Sequence, residues 1–179
     1  MKQIVYKTLM GLKEHIEKSP TMYVHRGSGH LQPCSFSFYK PTSEIHMMNF
    51  VKETGYYLPE SYKDFLMIND GALLFKDISE KANGAWHIFG LEDIIDFIDK
   101  KEVPENMYVI AKYHSILIYV NSSRVKEGRE DYMFVGSTYV PDAEDIVLNF
   151  ELWFERLVVS QGSFFWDWNI VNALNFKSE

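Results

Sequence analysis

The side chains best equipped for chemistry in this chain are six histidines (His15, His25, His30, His46, His87, His114), a single cysteine, Cys34, and a surplus of carboxylates. A helical zinc site needs two histidines four apart with a glutamate between them. No His-Glu-x-x-His occurs, and one cysteine makes neither a thiolate metal site nor an internal disulfide. The densest candidate is Tyr23-Val-His-Arg-Gly-Ser-Gly-His30, where Arg26 and glycine amides would suit an anion. It lacks the Gly-x-x-x-x-Gly-Lys-Ser/Thr order of a phosphate loop, so it reads as an ordinary polar loop. Cys34 alternates with Phe36 and Phe38, which makes it a buried, inert thiol rather than a nucleophile. Asp142, Glu144 and Asp145 cluster beside Pro141 without the oxygen-ligand spacing of a calcium loop, and read as a solvated acidic turn. No catalytic residue, metal ligand or cofactor is assigned.

The elements that carry these residues follow from periodicity. Ile4, Val5, Leu9, Leu12 and Ile16 predict a helix over 3–18, ended by Ser19-Pro20. Residues 21–33 read as a loop, and Cys34, Phe36 and Phe38 as one face of a strand. A helix over 43–54 ends at Gly55. Leu58-Pro59 then opens a second helix, whose Tyr62, Phe65, Leu66 and Asn69 share a face before Asp70-Gly71 turns the chain. Short strands at 72–75 and 86–89 flank a charged connection. Helix 91–100 turns Leu91, Ile94, Ile95 and Ile98 inward and Glu92, Asp93, Asp96 and Asp99 outward. Strands are predicted at 107–113, 115–121 and 132–138, with 122–131 as a connection. Asn149 caps a last helix, stopped by Gly162. Of the run Phe164-Phe-Trp-Asp-Trp168, most is expected in the core with Asp167 outside. Helices, then strands, then a helix is an α+β order.

At 179 residues the chain can bury roughly 70% of its unfolded surface, sufficient for one core. An aromatic share of 16% excludes a disordered chain. No apolar run approaches the ~20 residues of a membrane span, and Met1 to Met10 shows no secretory signal. A cytoplasmic globular protein is therefore expected. The net charge of −7 is uneven: residues 1–60 carry +2 and residues 61–179 carry −9. An acidic body repels phosphate backbones, so direct nucleic-acid binding is disfavoured and a basic protein partner is electrostatically easier.

Leu58-Pro59-x-x-Tyr62-x-x-Phe65-Leu66, followed by Asn69-Asp70-Gly71, resembles the signature of the SUKH superfamily, and within it the Smi/Knr-like branch. Trp86-His-Ile-Phe-Gly-Leu91, the block from Pro104 to Tyr119, and Phe150-x-x-Trp153-Phe-x-x-Leu157 resemble later parts of the same pattern, so that the likeness spans about 43–160. Asp70 stands where the family usually has Asn, and is read as tolerated because both accept the left-handed conformation. Residues 1–42 match no part of the pattern. The resemblance implies a single α+β domain over 1–179, with a central, largely antiparallel sheet flanked by helices. Residues 1–42 would be an N-terminal helix and strand extension, 43–160 the core, and 161–179 an aromatic tail.

The resemblance also implies function by binding rather than by catalysis. Bacterial members of the family are typically immunity proteins of polymorphic toxin or contact-dependent inhibition systems, each binding a cognate toxin domain, often a nuclease. On that expectation the toxin-facing residues are Glu92, Asp93, Asp96, Asp99, Asp142, Glu144, Asp145 and Trp168, an acidic and aromatic set suited to a cationic channel. The partner is then a protein toxin, with no membrane or direct nucleic-acid contact; unpaired strand edges would equally serve a homodimer. The competing readings are a regulatory or scaffolding module acting on an endogenous partner, and a small-ligand site at the His25–His30 loop.

Overall fold

The apolar stripe near the N-terminus winds into α1 (Gln3–Lys18), which buries Val5, Leu9 and Leu12. This is seen in a computed structural model that describes residues 3–25, 29–79, 84–101 and 103–168. β1 (Met22–His25) and β2 (Leu31–Phe38) follow as an antiparallel pair. Next comes α2 (Glu44–Thr54), capped by the Ser43 hydroxyl, which accepts from the His46 N–H at 3.3 Å. α3 (Glu60–Leu66) starts directly after Pro59, which takes the cap position rather than the first helical one. The remaining order is β3 (Ala72–Asp77), β4 (Trp86–Ile88), α4 (Leu91–Lys100), β5 (Met107–Tyr113), β6 (Ile116–Asn121), α5 (Ser122–Lys126), β7 (Met133–Ser137), β8 (Val140–Asp145) and α6 (Phe150–Val159). A 3-10 turn, Phe165–Asp167, closes the described chain.

The eight strands form one sheet in which each pairs antiparallel with its sequence neighbours. The fold is α+β, as the element order predicted. Register places Ile88, Ala111, Ile118 and Val135 side by side on one face, and His87, Lys112, Leu117 and Gly136 on the other. The first face packs on α6, where Trp86 meets Trp153 edge to face at 5.9 Å. The second meets α4, whose Asp93 reaches His87. Covered on both faces, β6 is buried at four consecutive positions, 117–120, a pattern that a half-exposed strand cannot have. α1 packs on α6 and α3, and β1–β2 extend the sheet beyond β3.

Four local expectations are corrected. Residues 21–33, read as a loop, contain β1 and the start of β2. The polar outer residues hide a strand whose inner side chain, Val24, is fully buried. The connection 122–131 holds α5, started by the Asn121 side chain accepting from the Arg124 N–H at 3.0 Å. Asp142, Glu144 and Asp145 lie in an edge strand, β8, rather than a turn; charge on an edge strand guards it against pairing with another chain. Asp70 is not among the positive-φ residues; Gly71, at φ 99°, makes that turn. Cys34 is buried, as its alternation predicted. Arg26, Gly27 and the segment 169–179 lie outside the described residues.

Candidate functional site

The signature segment is structural throughout. Leu58 and Pro59 are buried, and the Tyr62 hydroxyl donates to the Phe89 carbonyl at 2.6 Å. Phe65 packs edge to face on Phe150 and Phe154 of α6. Asp70 reaches forward instead of turning the chain: its Oδ1 accepts from the Leu91 N–H at 2.9 Å, helping to cap α4. Gly71 lies so close to α4's start that a Cβ there would sit 2.9 Å from the Gly90 nitrogen. These residues hold α3, β4 and α4 together.

The surface formed by 140–168 is different. Asp142 and Glu144 are exposed on β8, whereas Asp145 is half-buried and tied down. The Arg124 guanidinium pairs with its Oδ2 and stacks over the Phe134 ring, 4.6 Å from the centroid. Arg124 also donates to the Asp131 carbonyl, and Arg129 Nε donates to Asp131 Oδ1 at 2.9 Å. The Arg129 hydrogen bond holds the Asp131 carboxyl down to about 2. This network pins the end of β8. Val147 follows with φ 52°, its side chain 69% exposed and its N–H donating to Asp145 Oδ1 at 2.7 Å. A β-branched residue in the left-handed region is strained, and strain of this kind gathers at working surfaces.

Asn149 then caps α6, accepting from the Leu152 N–H at 2.9 Å. After the helix, Gly162 turns the chain at φ 79°, and its carbonyl accepts from Trp86 Nε1 at 2.9 Å. That bond anchors the aromatic run. Phe165 is buried and Trp166 meets Trp86 edge to face at 5.9 Å, but Trp168 is left 62% exposed. Between the end of β8 and this turn lies a cleft of about 380 Å³, lined by Glu144, Asp145, Arg156, Trp166, Asp167 and Trp168.

Of the residues singled out from sequence, Glu144, Asp145 and Trp168 therefore converge, and Asp142 lies on the same strand. The other four do not join them. α4 packs on β5 in mid-sheet, away from the β8 edge, so Glu92, Asp93, Asp96 and Asp99 form a separate group. Asp93 is also turned inward rather than outward. Its Oδ2 accepts from the Gly90 N–H at 2.9 Å and lies 3.2 Å from His87 Nε2. Burial opposes its ionisation, but the His87 and Gly90 hydrogen bonds outweigh burial and hold its carboxyl below the usual range. Asp96 pairs with Lys100 at 2.6 Å, while Glu92 and Asp99 remain exposed. Among the described residues, no three His, Cys, Asp or Glu side chains gather to hold a metal, and no helix is long and apolar enough to cross a membrane. Sequence reasoning missed Arg124 and Val147, whose roles arise from contacts across the sheet and from backbone conformation.

The SMI1 / KNR4 family (SUKH-1) model matches residues 41–156, nearly two thirds of the chain and everything from α2 into α6. The chain belongs to the SMI1/KNR4 family. Two Bacillus subtilis (strain 168) proteins, both described as uncharacterized, are similar to it. YobM is 24% identical over 188 residues, covering 98% of each chain. YnaB is 29% identical over 143 residues, covering 78% of this chain and 92% of its own. The family match leaves out α1, β1 and β2, but the YobM alignment, covering 98% of this chain, takes them in. Asp142, Glu144 and Asp145 fall inside the SMI1/KNR4 match, and Trp168 falls beyond its end.

Proposed function

We propose that this SMI1/KNR4 protein is a cytoplasmic immunity protein that binds and neutralises a cognate toxin domain, most naturally a nuclease, without catalysis of its own. The observation that carries the reading is the β8–tail cleft, where Glu144 and Asp167 line the wall with Arg156 and an exposed Trp168, and Asp142 is exposed on the same strand, on a frame pinned by Arg124, Asp145 and the Trp86–Gly162 bond. A nuclease channel that holds a phosphate backbone is cationic. An acidic rim steers such a channel to the cleft, and an aromatic anchor supplies the buried centre of an interface. Family membership supports binding over chemistry. Against chemistry on the protein's own surface, Cys34 is buried, and His87 is turned toward Asp93.

Co-expression in a naive host with the toxic C-terminal domain of a neighbouring gene tests the reading. The wild-type chain is expected to restore growth and to co-purify with the toxin. Asp142→Lys, Glu144→Lys and Asp167→Lys with Trp168→Ala, combined in one variant, should weaken binding by at least ~100-fold, or about 3 kcal/mol, and abolish rescue. Full protection by that variant would move the interface elsewhere, with the exposed α4 acids Glu92, Asp96 and Asp99 next in line. If the wild type neither rescues nor binds, the regulatory reading takes first place and the same surface becomes the bait for an endogenous partner.

A further inference from the structure

α2 has apolar residues on two sides. Met47 and Phe50 are buried, and Phe50 meets Tyr108 of β5 edge to face at 6.3 Å, which fixes the inner side of the helix. On the outer side Ile45 is 68% and Met48 70% exposed, where a surface helix ordinarily carries polar residues. Met48 also lines an open groove of about 610 Å³ between α2 and α3, together with Met47, Val51 and the exposed Met67 of α3. Methionine side chains adapt to whatever packs on them, and a contiguous apolar patch of this kind marks an interaction site.

The order of residues along α2 selects the occupant. Met48 is the centre of the outer stripe. Ile45 and Val51 stand three residues to either side of it and Glu44 and Lys52 four, the spacings that keep side chains on one helical face. A second α2 laid antiparallel about a two-fold axis at Met48 sets each methionine against its counterpart. Ile45 then comes level with Val51 of the second copy, and Glu44 with Lys52 of the second copy. Four residues are about 6 Å along a helix, so both charged pairs sit just outside the apolar centre and within reach of their long side chains. Among the described residues neither Glu44 nor Lys52 has an ion-pair partner, whereas Lys63 across the groove is paired with Glu60 at 2.7 Å. Other occupants fit less well. A cationic protein would meet Lys52 and Lys63, and an anionic membrane surface would meet Glu44, Glu60 and Asp64. A face that disposes both signs evenly about an apolar centre is complementary to itself.

We propose that α2 and the α2–α3 groove form a two-fold interface between two copies of this chain, with Met48 on the axis and Glu44 of each copy paired with Lys52 of the other. The groove shares no lining residue with the β8–tail cleft, so the dimer does not depend on the proposed function. Sedimentation equilibrium of the full-length chain from ~10 μM to ~1 mM tests it, a range that covers a modest affinity. The wild type is expected to pass from monomer to dimer within that range. Met48→Lys sets two ammonium groups against each other on the axis and should weaken the dimer at least ~10-fold. Glu44→Lys and Lys52→Glu should each weaken it ~3- to 10-fold, because either reversal replaces two attractions with two repulsions. Combined in one chain they should restore the affinity to within ~2-fold of wild type. Glu44 is in the first turn of α2 and Lys52 in the last, so the double reversal opposes the helix dipole, and its recovery cannot come from a firmer helix. All three positions are exposed, and the variants should keep the wild-type melting temperature within a few degrees. A chain that stays monomeric throughout would overturn the proposal and leave the groove to a different protein. A dimer indifferent to Met48→Lys, or one that the double reversal fails to restore, would overturn it as well.

Discussion

Asp70 and Asp93 flank the start of α4 and titrate in opposite senses. Burial raises the Asp70 carboxyl above its usual range; the Leu91 hydrogen bond opposes the rise, and the charges of Asp93 and Glu92 add to it. Ionising Asp70 therefore weakens the fold, and that effect grows as pH rises from the unfolded value near 4 through the raised folded one. Asp93 is held low, so its contribution is present above about pH 4 and is lost as pH falls through its depressed folded value. Urea unfolding from pH 3 to pH 8 checks both signs. Asp70→Asn keeps an acceptor for the Leu91 N–H and should be slightly more stable than wild type at pH 7 but not at pH 3. Asp93→Asn should lose up to about 1 kcal/mol at pH 7, a modest figure because the pair is partly exposed, and the loss should shrink below pH 4. Shifts of the same sign in both variants would refute the assignment.

At the scale of elements, the turn from β8 into α6 borders the β8–tail cleft through Ile146 and Leu148, and its backbone is strained at Val147. Left-handed geometry costs an L-residue about 1–2 kcal/mol, and the exposed Val147 side chain recovers little of this through packing. Val147→Gly should raise stability by about 0.5–1 kcal/mol after the extra backbone entropy of glycine is counted. Val147→Ala should change little. A lower denaturation midpoint for the glycine variant would mean that the valine side chain has a packing role. The Asp145 carboxylate holds this turn through the Val147 N–H while Arg124 holds Asp145, so one acidic residue serves as a structural pin between more exposed acids. Only the exposed ones, Asp142 and Glu144, are free to meet a partner.

For the whole molecule, the decisive feature is that the family-matched region does not close its own core. α1 lies outside 41–156, yet it packs on α6 and α3 and buries Val5, Leu9 and Leu12. β1 and β2 also lie outside, and removing them turns β3 into an open edge. The Trp86–Gly162 bond is lost as well. At roughly 1.5–3 kcal/mol for each large apolar side chain uncovered, the fragment 41–156 should lose about 5 kcal/mol or more, comparable with the whole stability of a small domain. Calorimetry and binding of a hydrophobic dye should show a broadened, low-temperature transition for the fragment. A sharp transition near that of the full chain would show that the matched region is self-sufficient.

What the linear sequence determined by itself is local and periodic. The helical faces of α1, α3, α4 and α6, the burial of Cys34, the Asn149 cap and the Leu58–Gly71 signature are set by residue spacing within one or two turns, which is why they were legible. β1 and β8 were hidden because an edge strand buries only one of its faces and presents polar residues to solvent on the other. Which acids are free was also beyond the sequence. Asp93 and Asp145 have the same charge as Asp142 and Glu144, and only packing decides that the first accepts from the Gly90 N–H and the second is pinned by Arg124. The tertiary structure alone brought Glu144 and Trp168 to one cleft, because the Trp86 hydrogen bond across 76 residues folds the tail back beside β8. Charge can be counted along a chain, but its availability depends on desolvation and pairing, which exist only once the chain has folded.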